Sequence, residues 1–336
     1  MDPRTLRTVG RVPHGSDDDP AILDFSANTN PEVPPGAERV YEKAFDRART
    51  YPTEPPREYV AAAADFVDCR EAEVVPTPGG LAAIRLAVEA TCEAGDTALL
   101  PAPSFAEYAR EVRLQGAVPE FVPHDELLDA DPAGHALAVV CNPNNPTGEC
   151  YDSEELRTFA ARCRETDTVL LVDEAFLGFT EEPSLAGEAG VVVARSLTKL
   201  FGLPGLRNGY AVATGELREA LGAARRTWNL GRPELDVGAH CLRQDEFVSR
   251  TRERVASERE RMREALSERF EVFPSDAPFL LFDVGDREVR EVVAAARAEG
   301  IAVRDATTFR GLDNHVRVAV RLPAENTRLL EVLSRV

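Results

Sequence analysis

The residues best suited to chemistry stand together in the run Ser196-Leu-Thr198-Lys199-Leu-Phe-Gly202-Leu-Pro-Gly205-Leu-Arg207-Asn-Gly209-Tyr210. A lysine lies in a turn rich in hydroxyls and glycines, an arginine follows, and an apolar run over 190–195 leads in. A lysine at the end of a buried strand is poorly placed as a surface charge and well placed as an imine-forming amine. Ser196, Thr198 and Arg207 are residue types that hold a phosphate beside it. Lys43 and Lys199 are the only lysines of the chain, so the choice of reactive amine is nearly forced. An amine, a phosphate cradle and a charged partner for a ring nitrogen are what pyridoxal 5′-phosphate (PLP) asks of a protein.

Two more motifs precede this one. Asn142-Pro-Asn-Asn145-Pro146-Thr147-Gly148 follows the apolar run 136–140, and Asp173-Glu174-Ala175-Phe176 follows the run 168–172. Taken singly, Asp173 is a plausible helix cap, Asn145 a turn residue before a proline, and Phe105 ordinary core. The elements around them give these residues a common address. Apolar strands alternate with helical patterns at 57–67, 81–93, 105–115 and 153–166, which predicts a mostly parallel sheet covered on both faces. Open α/β sheets bind ligands at the carboxyl ends of their strands, where all three motifs fall. Gly80 and Leu81 open a helix, whose first N–H groups and dipole suit an anion. After residue 233 a charged helix over 250–270, strands at 279–283, 301–304 and 315–320, and a helix at 287–299 predict a smaller α+β unit. The expected division is an arm and part of the small domain in 1–40, a large domain in 41–232, and a small domain in 233–336.

The order and spacing of the three motifs resemble the fold-type I PLP enzymes, the aspartate aminotransferase superfamily of class I/II, over essentially the whole chain. The resemblance implies an α/β fold with PLP as cofactor. By it, Lys199 holds the cofactor and moves protons, Asp173 pairs with the pyridine nitrogen, and Asn145 donates to the ring's phenolic oxygen. Gly80, Leu81, Ser196, Thr198 and Arg207 then bind the cofactor phosphate, and Phe105 stacks on the ring. Tyr51, in Thr50-Tyr51-Pro52, matches a tyrosine that reaches the phosphate of a neighbouring subunit, which implies a homodimer. Departures are Leu81 where relatives carry a hydroxyl, Ala82 where they carry an acid, and the segment from Trp228 to Glu234.

Within the superfamily three features resemble the threonine-phosphate decarboxylases of cobalamin biosynthesis, close relatives of histidinol-phosphate aminotransferases. They are His14-Gly15 followed by Asp24-Phe-Ser-Ala-Asn28-Thr-Asn30-Pro31, Phe176 where aminotransferases carry a tyrosine, and the tail Arg304-Asp305-Ala-Thr-Thr-Phe309-Arg-Gly311-Leu312 with Val316-Arg317. This resemblance implies decarboxylation of L-threonine O-3-phosphate to (R)-1-aminopropan-2-yl phosphate. Arg317 would hold the α-carboxylate, and Arg304, His14, Asn28 and Tyr51 the substrate phosphate. Arg321 is expected to be an exposed strand residue. The alternative is transamination of histidinol phosphate or another amino compound. A non-catalytic regulator on the same fold fits poorly, because such proteins carry a basic DNA-binding segment or lack the lysine.

Bulk properties narrow the partners. The 336 residues include 58 acidic and 39 basic side chains, a formal charge of −19. Such a surface repels nucleic acid and anionic membranes, while a local arginine cluster can still admit a small anionic amino-acid phosphate. An acid-rich, lysine-poor surface also resembles proteins adapted to high salt. No apolar run approaches the roughly 20 residues of a membrane span, and the N-terminus lacks a basic-then-apolar leader pattern, so a cytoplasmic location is expected. The six cysteines form no Cys-x-x-Cys pair and the five histidines are scattered, so no metal site is expected.

Overall fold

The computed structural model of the chain describes residues 1–336. Its thirteen strands, β1 to β13, form three sheets. The largest contains β2 (Val74–Thr77), β3 (Thr97–Ala102), β4 (Val118–Pro123), β5 (Leu137–Cys141), β6 (Val169–Asp173), β7 (Val191–Ser196) and β8 (Gly209–Val212), in the order β2-β8-β7-β6-β5-β3-β4. All its pairings are parallel except those of β8 with β7 and β2.

The central strands are apolar along their length because both faces are covered. Ala138, Val140, Leu170, Val172, Val191 and Val193 enter one buried cluster, and their neighbours Leu137, Val139, Leu171, Val192 and Ala194 enter another. The period of two thus feeds two cores from one run, and each fully buried Val or Leu contributes about 1.5–3 kcal/mol. This fixes the register of β5, β6 and β7, so their carboxyl ends lie side by side: Cys141 opposite Asp173, and Asp173 opposite Ala194.

The second sheet orders β9 (Glu271–Val272), β10 (Phe279–Asp283), β12 (Arg304–Asp305) and β13 (His315–Ala319) as β12-β13-β10-β9. The third is a short parallel pair, β1 (Leu23–Asp24) with β11 (Ile301–Ala302). The expected single strand over 301–304 is therefore two pieces. Val303 is buried between them, and the chain leaves one sheet for the other at that point. The long helix spans Asp245–Ser267, starting and ending earlier than its charge pattern implied. No helix is long and apolar enough to cross a membrane.

Candidate active site

A cavity of about 340 Å³ opens at the carboxyl ends of β5, β6 and β7. Every predicted site residue lines it except Tyr51.

Lys199 belongs to the short helix Leu197–Leu200 that follows β7. Burial, reinforced by the positive charges of Arg317 and Arg207, pulls its ammonium pKa down to about 8, against the opposing pull of Asp173. The lysine is therefore neutral far more often near neutral pH than an ordinary lysine, which suits an imine-forming amine. Asp173 ends β6. Its Oδ2 accepts the Tyr108 hydroxyl at 2.6 Å and its Oδ1 accepts the Ala175 N–H at 3.0 Å. Burial pushes this carboxyl up, and those two hydrogen bonds pull it down. Tyr108, which holds Asp173, was not among the residues picked out from the sequence.

The phosphate cradle is built by close backbone approach. Gly79 has φ +92°, and a Cβ there would lie 2.8 Å from an Arg207 guanidinium nitrogen. Gly80 begins the helix Gly80–Thr91. The Ser196 and Thr198 hydroxyls meet at 2.8 Å. Arg207 itself is left-handed, at φ 47°, a strained conformation for a non-glycine residue and one that collects at functional sites. Its guanidinium donates to the Pro204 carbonyl at 3.0 Å and has no carboxylate partner. Leu81 lines the cradle without a hydroxyl to offer.

On the opposite wall, Arg317 comes from β13 and Arg304 from β12. Arg317 is 5% exposed and lies between the rings of Phe279 and Phe309, 5.1 and 5.7 Å from their centroids. It donates to Asn145 Oδ1 and to the Ser26 carbonyl, while its Nε has no partner. Because arginine only donates, this contact leaves Asn145 Nδ2 as the free donor of that amide. Burial and the Arg304 charge lower the Arg317 pKa to about 9. Arg304 donates to the Pro13 carbonyl at 3.1 Å and to the Thr308 hydroxyl at 2.8 Å. Neither arginine has an acidic partner within 4.0 Å. Asn28 is buried here with an unpartnered Oδ1. His14 Nε2 meets Glu107 Oε1 at 3.0 Å, and Phe105 lies between His14 and Tyr108. Phe176 is buried edge-on against Phe279 at 5.1 Å.

Two predicted residues lie elsewhere than a simple site would have them. Tyr51 is 74% exposed and stacks on Trp228 at 4.3 Å, outside the cavity of its own chain. Arg321, expected to be exposed, is half-buried. Its guanidinium pairs with Glu325 at 3.1 Å and donates to the Asp24 carbonyl, because β13 ends at Ala319 and the turn folds it back.

Residues 21–333 match the family model described as aminotransferase class I and II. The chain belongs to that family. It is 31% identical to the histidinol-phosphate aminotransferase of Halobacterium salinarum, over 98% of this chain and 93% of that protein. Among solved structures, the L-threonine-O-3-phosphate decarboxylase of Porphyromonas gingivalis is 25% identical with a TM-score of 0.85, covering 94% of this chain and 99% of that one. The histidinol-phosphate aminotransferase of Sinorhizobium meliloti, solved with pyridoxal-5′-phosphate, shares the fold at TM-score 0.85 and 21% identity, over 99% and 98%.

PLP is the cofactor of this class I and II family member, and the residues present fit it. An unpaired Arg207 facing Gly79 offers a dianion both charge and backbone room. Asp173 carries no basic side-chain partner of its own, which leaves it for a protonated ring nitrogen, and Lys199 lies half-buried at the same strand ends.

Proposed function

We propose that this chain acts on a small amino compound carrying a phosphate, and that it removes the α-carboxylate of L-threonine O-3-phosphate as CO2. The product is (R)-1-aminopropan-2-yl phosphate, placing the enzyme in cobalamin synthesis. The observation that carries the reading is the arginine pair. In a chain of net charge −19, Arg317 and Arg304 share one cavity and neither has a carboxylate partner. A substrate with a carboxylate and a phosphate on adjacent carbons answers both.

Arg317 holds the α-carboxylate, its orientation fixed by Asn145, Ser26 and the two phenylalanine rings. Arg304, His14 and Asn28 hold the phosphate. The Tyr108 and Ala175 hydrogen bonds favour the ionised form of Asp173 against the effect of burial, and Asn145 Nδ2 donates to the phenolic oxygen. Bound PLP supplies the electron sink for the pair left when the carbon–carboxylate bond breaks. CO2 leaves without that pair, and Lys199 delivers one proton to the same carbon, which balances the reaction. Phe176 offers no hydroxyl where an aminotransferase tyrosine would donate. Tyr51 serves a second copy of the chain, since its ring is exposed and does not line its own cavity.

A second reading, transamination of histidinol phosphate with a keto acid, is favoured by the names of the most similar sequences, and on names alone it is the better supported. One assay separates the two. The PLP-loaded enzyme is given L-threonine O-3-phosphate without keto acid, and CO2 and product mass are followed. Stoichiometric CO2 with a product lighter by the carboxyl group is expected. No CO2, with turnover of histidinol phosphate once 2-oxoglutarate is added, overturns the decarboxylase. Sedimentation of the holoenzyme tests the second copy: a dimer is expected, and Tyr51→Phe should weaken PLP binding. A monomer with full PLP affinity rejects that role for Tyr51.

A further inference from the structure

A second cavity, of about 760 Å³, adjoins the active-site cavity and shares with it Val12, Phe105, Ala106, Thr308 and Phe309. Its wall carries Arg11, Arg110, Arg113 and Arg310 against one acidic residue, Asp313. Arg110 is already matched, by Glu111 at 2.9 Å and Glu107 at 3.4 Å. Arg11, Arg113 and Arg310 are exposed and have no acidic partner within 4.0 Å. The Arg310 guanidinium lies 4.1 Å above the centre of the Phe121 ring. That stacking holds the planar group at the wall while its N–H edge stays free for an anion.

The position of these charges is what makes them informative. The chain as a whole repels anions, yet three unpaired guanidinium groups line a cavity that adjoins the one containing Arg304 and Arg317. Arg310 directly follows Phe309, which borders both cavities, and the Thr308 hydroxyl on that same border accepts from Arg304. Cations therefore line both cavities, from the exposed Arg11, Arg113 and Arg310 to the half-buried Arg304 and the buried Arg317.

We propose that this cleft is an anion-binding vestibule, a first docking position for the phosphate of the incoming substrate before it passes to Arg304. The inference rests on the reading that the substrate carries a phosphate. Its effect is on capture rather than on the bond-breaking step. Clefts lined by one sign of charge raise association rates by roughly 10- to 1,000-fold, and the gain falls with ionic strength. The Debye length shrinks from about 30 Å at 0.01 M salt to about 3 Å at 1 M.

The test compares the holoenzyme with a triple variant, Arg11→Gln, Arg113→Gln and Arg310→Gln, and with a control, Arg250→Gln, Arg290→Gln and Arg335→Gln, which removes the same charge from exposed positions elsewhere. Each protein is mixed with O-phosphoethanolamine and, separately, with ethanolamine. The second-order rate of change in cofactor absorption is recorded at one low ionic strength, and the ratio of the two rates is the readout. That ratio is expected to fall about tenfold in the vestibule variant and to hold in the control. Added salt should lower it in the unmodified enzyme and leave it flat in the vestibule variant. An unchanged ratio in the vestibule variant, or an equal fall in the control, overturns the vestibule. Unchanged visible spectra in the resting variants check that both triple variants are folded and loaded. Neither probe carries a carboxylate, so the ratio is independent of which amino substrate is turned over. A lost ratio together with no turnover of L-threonine O-3-phosphate keeps the vestibule and sinks the decarboxylase.

Discussion

Arg195 and Arg317 lie at nearly the same depth, 8% and 5% exposed, in opposite company. Arg195, on β7, faces the Glu174 carboxylate at 3.3 Å and the Glu174 carbonyl at 3.2 Å. Glu174 is held in turn by the Ser184 hydroxyl at 2.6 Å and the Leu185 N–H at 2.9 Å. Burial pushes the Glu174 carboxyl up, and Arg195 leads the groups that pull it back. Arg317 has no carboxylate at all, and one of its N–H groups has no partner. The Arg195 Nε likewise makes no hydrogen bond, but its charge is answered by the Glu174 carboxylate. The open guanidinium is costly in an empty protein and persists where a ligand completes it. Depth alone therefore does not separate a structural arginine from a binding one; the counter-ion does.

The sharpest way to break this contrast is to open the closed pair. Glu174→Ala leaves Arg195 buried and uncompensated, and denaturant unfolding should show a loss of about 3–5 kcal/mol. Replacing both partners by methionine should recover most of it. A loss below about 1 kcal/mol would mean that the pair is not closed.

Arg317→Met should do the reverse. The kcat/KM of the loaded enzyme is expected to fall by on the order of 10²- to 10³-fold, the effect of truncating one side of a desolvated charge pair. The Tm of the cofactor-free protein should hold or rise, because a buried unpaired charge has gone. A falling Tm with intact kcat/KM would make Arg317 structural.

A smaller effect is expected at Asp173. Tyr108→Phe removes a hydrogen bond that holds the carboxyl down, so its pKa rises further, and PLP affinity should weaken by about tenfold. Cofactor titration with a parallel pH series on bound absorption reads both. Unchanged affinity and pH profile would reduce Tyr108 to core packing.

The smallest change is a shift in pH. In cofactor-free protein, acylation of Lys199, read by peptide mass, should reach half its maximum near pH 8. In Arg317→Met that midpoint moves up, since one of the positive charges depressing it is absent. The sign for stability follows from linkage. Between about pH 8 and the ordinary value of 10.5, the unfolded chain holds a proton that the folded chain has released, so the cofactor-free fold gains stability as pH rises. A midpoint in Arg317→Met equal to that of the unmodified chain would separate the two charges electrostatically.

Lys199, Asp173 and Asn145 were legible in the sequence because each ends or follows an apolar run, and parallel strands put such ends in one row. Tyr108 was not legible. It lies three residues after Phe105 on a helical pattern, where a tyrosine reads as core, and its partner Asp173 is 65 positions away. Only the packing of the helix Glu107–Gln115 on β3 and β4 brings its tyrosine to the end of β6. Glu107 reads as a first-turn acid of that helix, yet it is buried beneath His14, because the N-terminal arm docks there. Arg321 was misjudged for a similar reason: its alternating pattern continues past the point where Pro323 starts a helix and brings Glu325 within reach.

The parallel pairing of β1 with β11 ties residues 23–24 to residues 301–302. Beside that seam, Arg304 holds the Pro13 carbonyl, next to His14. The groups assigned to the substrate phosphate thus come from the two extremities of the chain, and they share no strand with Lys199 or Asp173. Heredity can exploit this arrangement. Short terminal segments can be rewritten to admit a different phosphate ester while the strand ends that hold the cofactor are passed on unaltered, so one ancestral catalyst can diversify its diet without reinventing its chemistry.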